Sequence, residues 1–278
     1  MKPFDDREMN DPFAVLDRPE ILQFVFYPRR VPLREPGLKG ARHLLFPVEE
    51  GVRIGCRLYE AAKEAPLIIY FHGNGEIVTD YDDIAPLYTQ RGINLLVTDY
   101  RGYGFSDGRP TLSQTLKDAH RLFDLIKEYT LKEELSPFPF LMGRSLGSLC
   151  AIEVAKGHQE EISGLIVESG SATNFRYLLS RWGLIPYHHP LWEEGRGFFN
   201  KEKIAEVTVP TLIIHAERDS LIPLEEAKVL YERSGAKDKR LVIIPDADHN
   251  DLILRGRELY FEEIDAFIHR HKRGDPRS

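Results

Sequence analysis

The chain has 278 residues, of which 42% are hydrophobic and 29% are charged, and its formal net charge is −7. This length and apolar content suit one large domain or two small ones. Acidic and basic residues are interspersed, and phosphates and anionic membranes repel a net-negative surface, so the composition excludes an obvious nucleic-acid-binding face.

The beginning of the chain gives no sign of export or of a membrane span. The first residues, MKPFDDREMNDPF, contain no apolar stretch of the kind found in secretory signals. The longest nearby apolar run, ILQFVFY, is much shorter than a membrane-spanning helix. We therefore expect a cytoplasmic protein without integral membrane association, with surface attachment through a short N-terminal helix as the less favoured alternative.

Residues 1–40 are rich in proline and charge, apart from the apolar run at residues 21–27. We interpret them as an extension that packs on a larger body through this run. The two cysteines, Cys56 and Cys150, lack metal-ligand spacing and fit two buried thiols in a reducing compartment or one disulfide.

From residue 41 onwards the apolar pattern predicts strands that alternate with helices. RHLLFPV and GVRIGCRLYE suggest an antiparallel hairpin, because the second segment alternates apolar and polar residues. Six apolar runs follow: APLIIYFHG, GINLLVTDY, PFPFLMG, SGLIVESG, VPTLIIHAERD and RLVIIPDADH. Continuously apolar strands separated by helices indicate a mostly parallel, doubly wound sheet covered on both faces. The predicted helix TLSQTLKDAHRLFDLIKEY begins with a capping box of Thr111 and Gln114, and a closing helix is predicted at residues 252–271.

One segment, residues 170–209, interrupts this alternation because it contains no predicted strand. It holds both tryptophans and several other aromatic residues: Tyr177, Trp182, Tyr187, Trp192, Phe198 and Phe199. A long insertion after a parallel strand lies over the sheet edge where ligands bind. We predict a small helical cap within a domain of residues 41–278. Trp182 and Trp192 are predicted to contact the substrate, with the alternative that either ring only packs the cap against the core.

The stretch LMGRSLGSLC contains Gly143-Arg144-Ser145-Leu146-Gly147, which matches the pattern G-x-S-x-G. A predicted strand precedes it and a predicted helix follows it, as in the sharp turn that exposes a nucleophilic serine. Serine is also a favoured residue at helix N-termini. The pentapeptide and its context therefore leave two interpretations open for Ser145, a nucleophile or a helix cap.

Four further motifs follow other predicted strands, where the ends of parallel strands meet at one edge. They are HGNG at residues 72–75, DYRGYG at 99–104, RDSLIP at 218–223 and DHND at 248–251. With the serine motif, and in this order, they resemble the α/β-hydrolase superfamily, in particular its Bem46-like branch. The resemblance extends from about Phe24 to Lys272 and implies the α/β-hydrolase fold.

The resemblance implies a catalytic triad in the chain order that this fold imposes. Ser145 would be the nucleophile, His249 the general base, and Asp219 the acid that orients His249. Glu168 is a rival to Asp219, because it too ends a strand near the same edge. The oxyanion hole would use the backbone N–H groups of Leu146 and Asn74, with Gly75 as an alternative to Asn74.

The implied activity is hydrolysis of a carboxylic ester or thioester of a small acyl substrate, without a cofactor. One alternative is a peptidase of the same fold, in which Glu193 or Glu194 of the cap binds a free α-amine. Another is a ligand-binding protein without activity, since fold does not fix function. His188 and His189 lie near these glutamates but lack regular ligand spacing, so we predict no metal site.

Overall fold

The computed structural model describes residues 11–193, 195 and 199–274. Glu194 and Phe198, which the sequence analysis places in the cap, lie outside the described residues. The described strands form one eight-stranded sheet in the order β1-β2-β4-β3-β5-β6-β7-β8. The strands are β1 (Ala41–Glu49), β2 (Val52–Tyr59), β3 (Leu67–Phe71), β4 (Asn94–Thr98), β5 (Phe140–Arg144), β6 (Gly164–Glu168), β7 (Thr211–Ala216) and β8 (Lys239–Ile244).

The sheet has the predicted mixture of strand directions. Strand β2 pairs antiparallel with both β1 and β4, and the pairs from β4 through β8 are parallel. All residues of β3, β4, β6 and β7 are buried, as their uninterrupted apolar sequences predict for strands covered on both faces.

Nine α-helices lie within the described residues and cover the two faces of the sheet. They are α1 (Pro12–Leu16), α2 (Pro19–Val25), α3 (Ala85–Thr89), α4 (Leu112–Lys132), α5 (Gly147–Gly157), α6 (Arg176–Arg181), α7 (Asn200–Lys203), α8 (Leu224–Arg233) and α9 (Leu252–His271). One apolar cluster joins the sheet to α4, α5 and α8, and a second joins it to α3 and α9.

The start of α4 contains half of the predicted capping box. The Thr111 hydroxyl accepts a hydrogen bond from the Gln114 N–H at 3.2 Å. The Gln114 side chain instead donates to Asp118 at 2.9 Å, one turn further along the helix. Asp118 also forms an ion pair with Arg101, so this carboxylate binds both side chains.

The N-terminal extension packs on the sheet domain through α2, where Ile21, Val25 and Phe26 are buried. At the cap, the described part of residues 170–209 contains α6, α7 and two short 3-10 turns, and no strand. Both cysteines are buried and carry free thiols. None of the helices in the described ranges combines the length and apolar character that crossing a bilayer requires.

The strand order places the crossover of the chain at β3. Strand β4 lies on one side of β3 and β5 lies on the other, so the connections after β3 and β4 run in opposite directions. Such a switch point leaves a crevice outside the carboxyl ends of the neighbouring strands. The HGNG loop follows β3 and the GRSLG turn follows β5 at this crevice.

Candidate active site

The GRSLG turn has the strained backbone that exposes a serine between a strand and a helix. Ser145 has a φ of +51°, in the left-handed region that few residues other than glycine adopt. Its N–H donates to the Glu168 carbonyl oxygen at 2.9 Å, which continues the pairing of β5 with β6. A side chain on Gly143 would collide with Gly147, and one on Gly147 would collide with the backbone of Phe71.

The turn places the Ser145 side chain beside His249 and not on the helix terminus. The first residue before α5 is Leu146, and no side chain caps this helix. Oγ of Ser145 lies 3.1 Å from Nε2 of His249. The helix-cap interpretation of Ser145 is therefore wrong in this structure.

Asp219 completes a chain of three contacting side chains. Nδ1 of His249 donates to Oδ2 of Asp219 at 2.8 Å. The other oxygen of Asp219 accepts from the N–H groups of Leu221 and Ile222, at 3.0 and 2.7 Å. The backbone thus fixes the carboxylate in the orientation that meets the imidazole, and His249 is only 3% exposed.

A second carboxylate holds the backbone of His249. Oδ1 of Asp248 accepts the His249 N–H at 2.7 Å and the Ser220 N–H at 2.7 Å. The hydrogen bonds from these two amides lower the pKa of Asp248. This carboxylate therefore joins the loop after β7 to the loop after β8, and does not contact the imidazole ring.

Glu168, the rival to Asp219, has other partners. Its carboxylate is buried and accepts hydrogen bonds from the hydroxyls of Tyr260 at 2.7 Å and Tyr70 at 3.1 Å. Nε of Arg144 donates to its second oxygen at 3.1 Å. Glu168 thus bonds to the far side of the serine turn, while Asp219 is the acid that contacts His249.

Arg144 is a site residue that the sequence analysis did not single out. Besides Glu168, its guanidinium donates to the His249 carbonyl oxygen at 2.8 Å and to Oδ1 of Asn250 at 3.2 Å. It also donates to Glu76. The only signal in the sequence is a charged residue directly after a buried strand.

Glu76 links this guanidinium to the HGNG loop. Its other oxygen accepts the Gly73 N–H at 2.8 Å and the Tyr81 hydroxyl at 2.7 Å. Burial, the largest single influence, raises the pKa of Glu76, but the Arg144 charge and the hydrogen bonds from Tyr81 and Gly73 act together with smaller influences to hold the pKa below its ordinary value. A permanent ion pair therefore connects the HGNG loop, the serine turn and the histidine loop.

Asn74 and Leu146, the two residues predicted to supply the N–H groups of the oxyanion hole, both line one cavity. Burial raises the pKa of the Tyr103 hydroxyl, against hydrogen bonds donated by the Tyr27 and Gly75 amides. Asn74 lines the cavity and Gly75 does not, which favours Asn74 as the proposed donor of the two alternatives.

The HGNG loop is also fixed through His72, which is fully buried. Its ring nitrogens lie 2.7 Å from the Gly73 carbonyl oxygen and 3.1 Å from the Asp99 carboxylate. The Tyr100 hydroxyl donates to the His72 carbonyl oxygen at 2.6 Å. His72 thus orients the loop from behind and does not face the cavity.

The cavity above Ser145 has a volume of about 250 Å³. Its apolar lining comes from three parts of the chain: Phe24, Val25 and Tyr27 of the extension, Phe175, Leu178 and Trp182 of the cap, and Leu146, Leu149, Leu221 and Ile222 of the sheet domain. Its polar lining comprises Asn74, Arg144, Ser145, Ser148, Ser171, Asn174, Asn200, His249 and Asn250.

Only one of the two predicted tryptophans lines the cavity. Trp182 does so and is 39% exposed. Trp192 is 3% exposed, donates its indole N–H to the Pro186 carbonyl oxygen at 3.1 Å and packs 6.2 Å from the Phe199 ring. The prediction of substrate contact by Trp192 is corrected accordingly, because this ring stabilises the cap from inside.

The cap histidines have no arrangement typical of metal ligands. Nδ1 of His189 accepts the Leu191 N–H at 3.1 Å, as a cap of the following turn. The ring of His188 packs on Tyr187, at a centroid distance of 5.4 Å. Within the described residues, no group of three or more His, Cys, Asp or Glu side chains is arranged to hold a metal ion.

Comparison with known proteins agrees with this architecture. The family model Hydrolase_4, described as serine aminopeptidase, S33, matches residues 62–184 and 199–253. The uncharacterized protein YfhR of Escherichia coli is 28% identical over 89% of this chain and 87% of its own length. Human protein ABHD12B is 27% identical over 86% of this chain and 77% of its own length. The bem46 protein of Schizosaccharomyces pombe is 24% identical over 75% of this chain and 69% of its own length.

Solved structures show the same fold at lower identity. The Pyrococcus furiosus esterase Pf2001 superposes with a TM-score of 0.70 at 20% identity, over 88% of this chain and 99% of its own. Est1E from Butyrivibrio proteoclasticus, with ferulic acid bound, gives a TM-score of 0.65 at 20% identity, over 82% of this chain and 98% of its own. The resemblance inferred from the motifs is thereby confirmed, and the chain belongs to the serine aminopeptidase S33 family of α/β-hydrolases, with Bem46-like relatives.

Proposed function

We propose that this hydrolase cleaves a carboxylic ester or thioester through an acyl-enzyme on Ser145. The observation that carries the proposal is the contact chain from Oγ of Ser145 to His249 at 3.1 Å and from His249 to Asp219 at 2.8 Å. In this arrangement a base contacts the nucleophile and an acid orients the base, as covalent catalysis requires.

The proposed reaction has two halves. Oγ of Ser145 attacks the carbonyl carbon while Nε2 of His249 takes its proton, and His249 then gives this proton to the departing alkoxide or thiolate. Water then attacks the acyl-enzyme, with His249 taking the water proton and returning it to Ser145. Asp219 holds the imidazole in the tautomer with hydrogen on Nδ1 and stabilises its cationic form.

Two backbone amides are proposed to stabilise the negative oxygen of the tetrahedral intermediate. They are the N–H groups of Leu146, at the start of α5, and Asn74, in the HGNG loop. The positive end of the α5 dipole adds to their effect. Removal of one such donor typically lowers kcat by a factor of roughly 10²–10³.

The description of the family favours a second candidate, an aminopeptidase that binds a free α-ammonium group. The lining of the cavity supports the ester instead. Among the lining residues that the structure describes, none is Asp or Glu, and Arg144 carries a fixed positive charge. Glu193 lies outside this lining, and Glu194 belongs to the residues that are not described. Within the described lining, a free α-ammonium group would therefore find no carboxylate, and the Arg144 charge is already paired with Glu76 and Glu168.

Fluorophosphonate labelling and ester hydrolysis test the proposal directly. We expect covalent labelling of the unmodified protein and hydrolysis of short p-nitrophenyl esters, with loss of both in Ser145→Ala. Ser148→Ala is the matched control, since its hydroxyl lines the same cavity but donates to the Ser145 carbonyl oxygen at 2.6 Å. Equal labelling of Ser145→Ala would contradict the proposal and favour a ligand-binding protein. Cleavage of aminoacyl-arylamides without ester cleavage would favour the peptidase.

A further inference from the structure

We infer that residues 24–27, which precede the hydrolase domain in sequence, form with Trp182 a subsite for the apolar end of the acyl chain. The inference rests on the proposed esterase function and names the part of the molecule that selects its substrate. It assigns a role in specificity to an extension that lies outside the strand-and-helix alternation of the fold.

The first observation is the composition of the cavity wall. Phe24, Val25 and Tyr27 line the same cavity as Ser145, together with Trp182 of the cap. The Phe24 and Trp182 rings are neighbours, with centroids 6.2 Å apart and planes tilted by 35°. Tyr27 is 53% and Trp182 39% exposed, so this part of the wall reaches the protein surface.

The second observation is that hydrogen bonds fix the backbone directly after this segment. Gly104 N–H donates to the Arg29 carbonyl oxygen at 2.8 Å, and Val31 N–H donates to the Gly104 carbonyl oxygen at 2.9 Å. Nε of Arg29 donates to the Gly75 carbonyl oxygen at 2.6 Å. The wall is therefore held in place before a substrate arrives, which lowers the entropy cost of binding.

The third observation is that Asn74 joins this segment to the proposed oxyanion hole. Its side-chain N–H donates to the Val25 carbonyl oxygen at 2.6 Å, and its side-chain oxygen accepts the Tyr27 N–H at 3.1 Å. The residue whose backbone N–H we propose for the oxyanion hole thus also holds the wall through its side chain.

The chemistry of the wall defines the ligand. Phe24, Val25 and Trp182 offer aromatic and aliphatic surface, to which an alkyl or aryl group binds by the hydrophobic effect. A charged or short acyl group gains little from this surface. We therefore assign the subsite to medium-length alkyl or arylalkyl acyl chains, with the distal carbons between Phe24 and Trp182.

The test compares Phe24→Ala with the unmodified protein on p-nitrophenyl esters from acetyl to octanoyl. In the unmodified protein kcat/KM should rise with chain length and then level off. In Phe24→Ala it should fall about tenfold for octanoyl and less than twofold for acetyl, as expected for loss of a buried aromatic contact. Equal losses for both esters, no loss, or a gain for octanoyl would each overturn the assignment.

Leu22→Ala is the matched control on the same helix. Leu22 packs against the core but does not line the cavity. The variant should lower the temperature of unfolding and leave the chain-length profile unchanged. A flattened profile in Leu22→Ala as well would show that the profile follows stability, which would overturn the inference.

A binding measurement separates failure of the subsite from failure of the proposed esterase. Octanoate, titrated while tryptophan fluorescence is recorded, should bind the unmodified protein and bind Phe24→Ala at least fivefold more weakly, while acetate binds neither. If no ester is cleaved but this difference is found, the proposed function fails and the subsite stands. If esters are cleaved and both proteins bind octanoate equally, the subsite fails and the proposed function stands.

Discussion

At the scale of single residues, Asp219 and Glu168 have similar positions in the sequence and different partners in the structure. Glu168 is the last residue of one parallel strand and Asp219 follows another, and both strands end at the active-site edge. Asp219 contacts the His249 imidazole at 2.8 Å, while Glu168 accepts hydrogen bonds from Arg144 and two tyrosine hydroxyls. The sequence left the two acids as rivals because strand ends do not reveal which way a carboxylate points.

We predict that Asp219→Asn lowers kcat for a short ester by a factor of about 10⁴, because the amide no longer holds the productive tautomer of His249. Glu168→Gln should lower kcat far less and reduce thermal stability more, since it leaves the buried Arg144 with one counter-charge fewer. Steady-state kinetics and thermal unfolding of both variants measure this. A larger loss of kcat in Glu168→Gln would reverse the assignment of the acid.

Arg144 gives a second prediction at this scale. Its guanidinium holds the His249 carbonyl oxygen at 2.8 Å and the Glu168 carboxylate at 3.1 Å, and it pairs with Glu76. Arg144→Ala should therefore lower kcat by about 10²-fold with little change in KM, because it loosens the positions of the reacting groups and not substrate binding.

Chemical rescue distinguishes this positioning role from a general loss of stability. Millimolar guanidinium should restore part of the kcat of Arg144→Ala by refilling the site between the two carboxylates, whereas methylammonium should restore little, because it lacks the planar fork. The unmodified enzyme, treated identically, is the control. If Arg144→Ala keeps the kcat of the unmodified enzyme while its temperature of unfolding falls, Arg144 acts on stability alone.

At the scale of elements, the pattern of apolar residues predicted nearly every helix and strand of the sheet domain. A 3.6-residue apolar period indicated helices, and continuous apolar runs indicated strands. The closing helix was expected at residues 252–271 and is α9 (Leu252–His271). Buried strands are the easiest elements to predict because both of their faces require apolar side chains. Strand order was not predictable in the same way, since it depends on which distant strands pair.

Contacts between elements far apart in sequence were the least predictable part of the site. Phe24 meets Trp182, and Val25 meets the side chain of Asn74, across long separations in sequence. Trp182 and Trp192 belong to the same aromatic cap segment, but only the tertiary packing turns one to the cavity and the other inward. The roles of such residues follow from packing and not from local pattern.

The junction between the extension and the HGNG loop gives a prediction at the element scale. The buried Tyr103 hydroxyl donates to Oδ1 of Asn74 at 2.6 Å and accepts the Tyr27 N–H at 2.8 Å. Tyr103→Phe keeps the ring and removes both bonds, so the Asn74 backbone becomes less well positioned. We expect kcat for acetyl esters to fall about tenfold with KM nearly constant, consistent with loss of one to two buried hydrogen bonds.

Tyr59→Phe serves as the comparison for that experiment. Its hydroxyl is also buried and donates to the Val78 carbonyl oxygen at 2.9 Å, whereas the Tyr103 hydroxyl donates to Asn74 of the HGNG loop. It should lose a similar amount of stability and keep its kcat. A matching loss of kcat in both variants would mean that stability, and not the HGNG loop, governs the rate.

At the scale of the whole molecule, three parts of the chain meet at one edge of the sheet: the N-terminal extension, the cap and the loops of the sheet domain. The extension supplies one wall of the cavity, the cap a second, and the loops of the sheet domain supply the reacting groups. The apolar patches of the extension and the cap are buried only when each packs on the sheet. The packing that buries these patches also forms two walls of the cavity, and ion pairs that attach the cap contribute to this packing.

One such ion pair is Glu153 of α5 with Lys203 of α7, at 2.5 Å, and the Lys203 side chain is only 5% exposed. Burial raises the pKa of Glu153, but its hydrogen bond with His120 and the Lys203 charge outweigh burial and lower the pKa to about 2. Glu153→Gln leaves Lys203 buried without this counter-charge, so we predict a loss of about 1–3 kcal/mol in the free energy of unfolding at pH 7.

The pH dependence of that loss has a definite sign. Because the pKa of Glu153 is lower in the folded protein than the ordinary carboxyl value of 4.5, its carboxylate stabilises the fold fully above about pH 5 and progressively less as the pH falls toward 2. The difference between the unmodified protein and Glu153→Gln should therefore be constant from pH 7 to about 5.5 and shrink below it. Urea unfolding at several pH values measures this difference. Glu225→Gln, which removes an exposed partner of Lys228 at 3.2 Å, should change stability little at any pH. A Glu153→Gln deficit that persists unchanged to pH 4 or below would mean that lost packing, and not lost charge, destabilises the attachment of the cap.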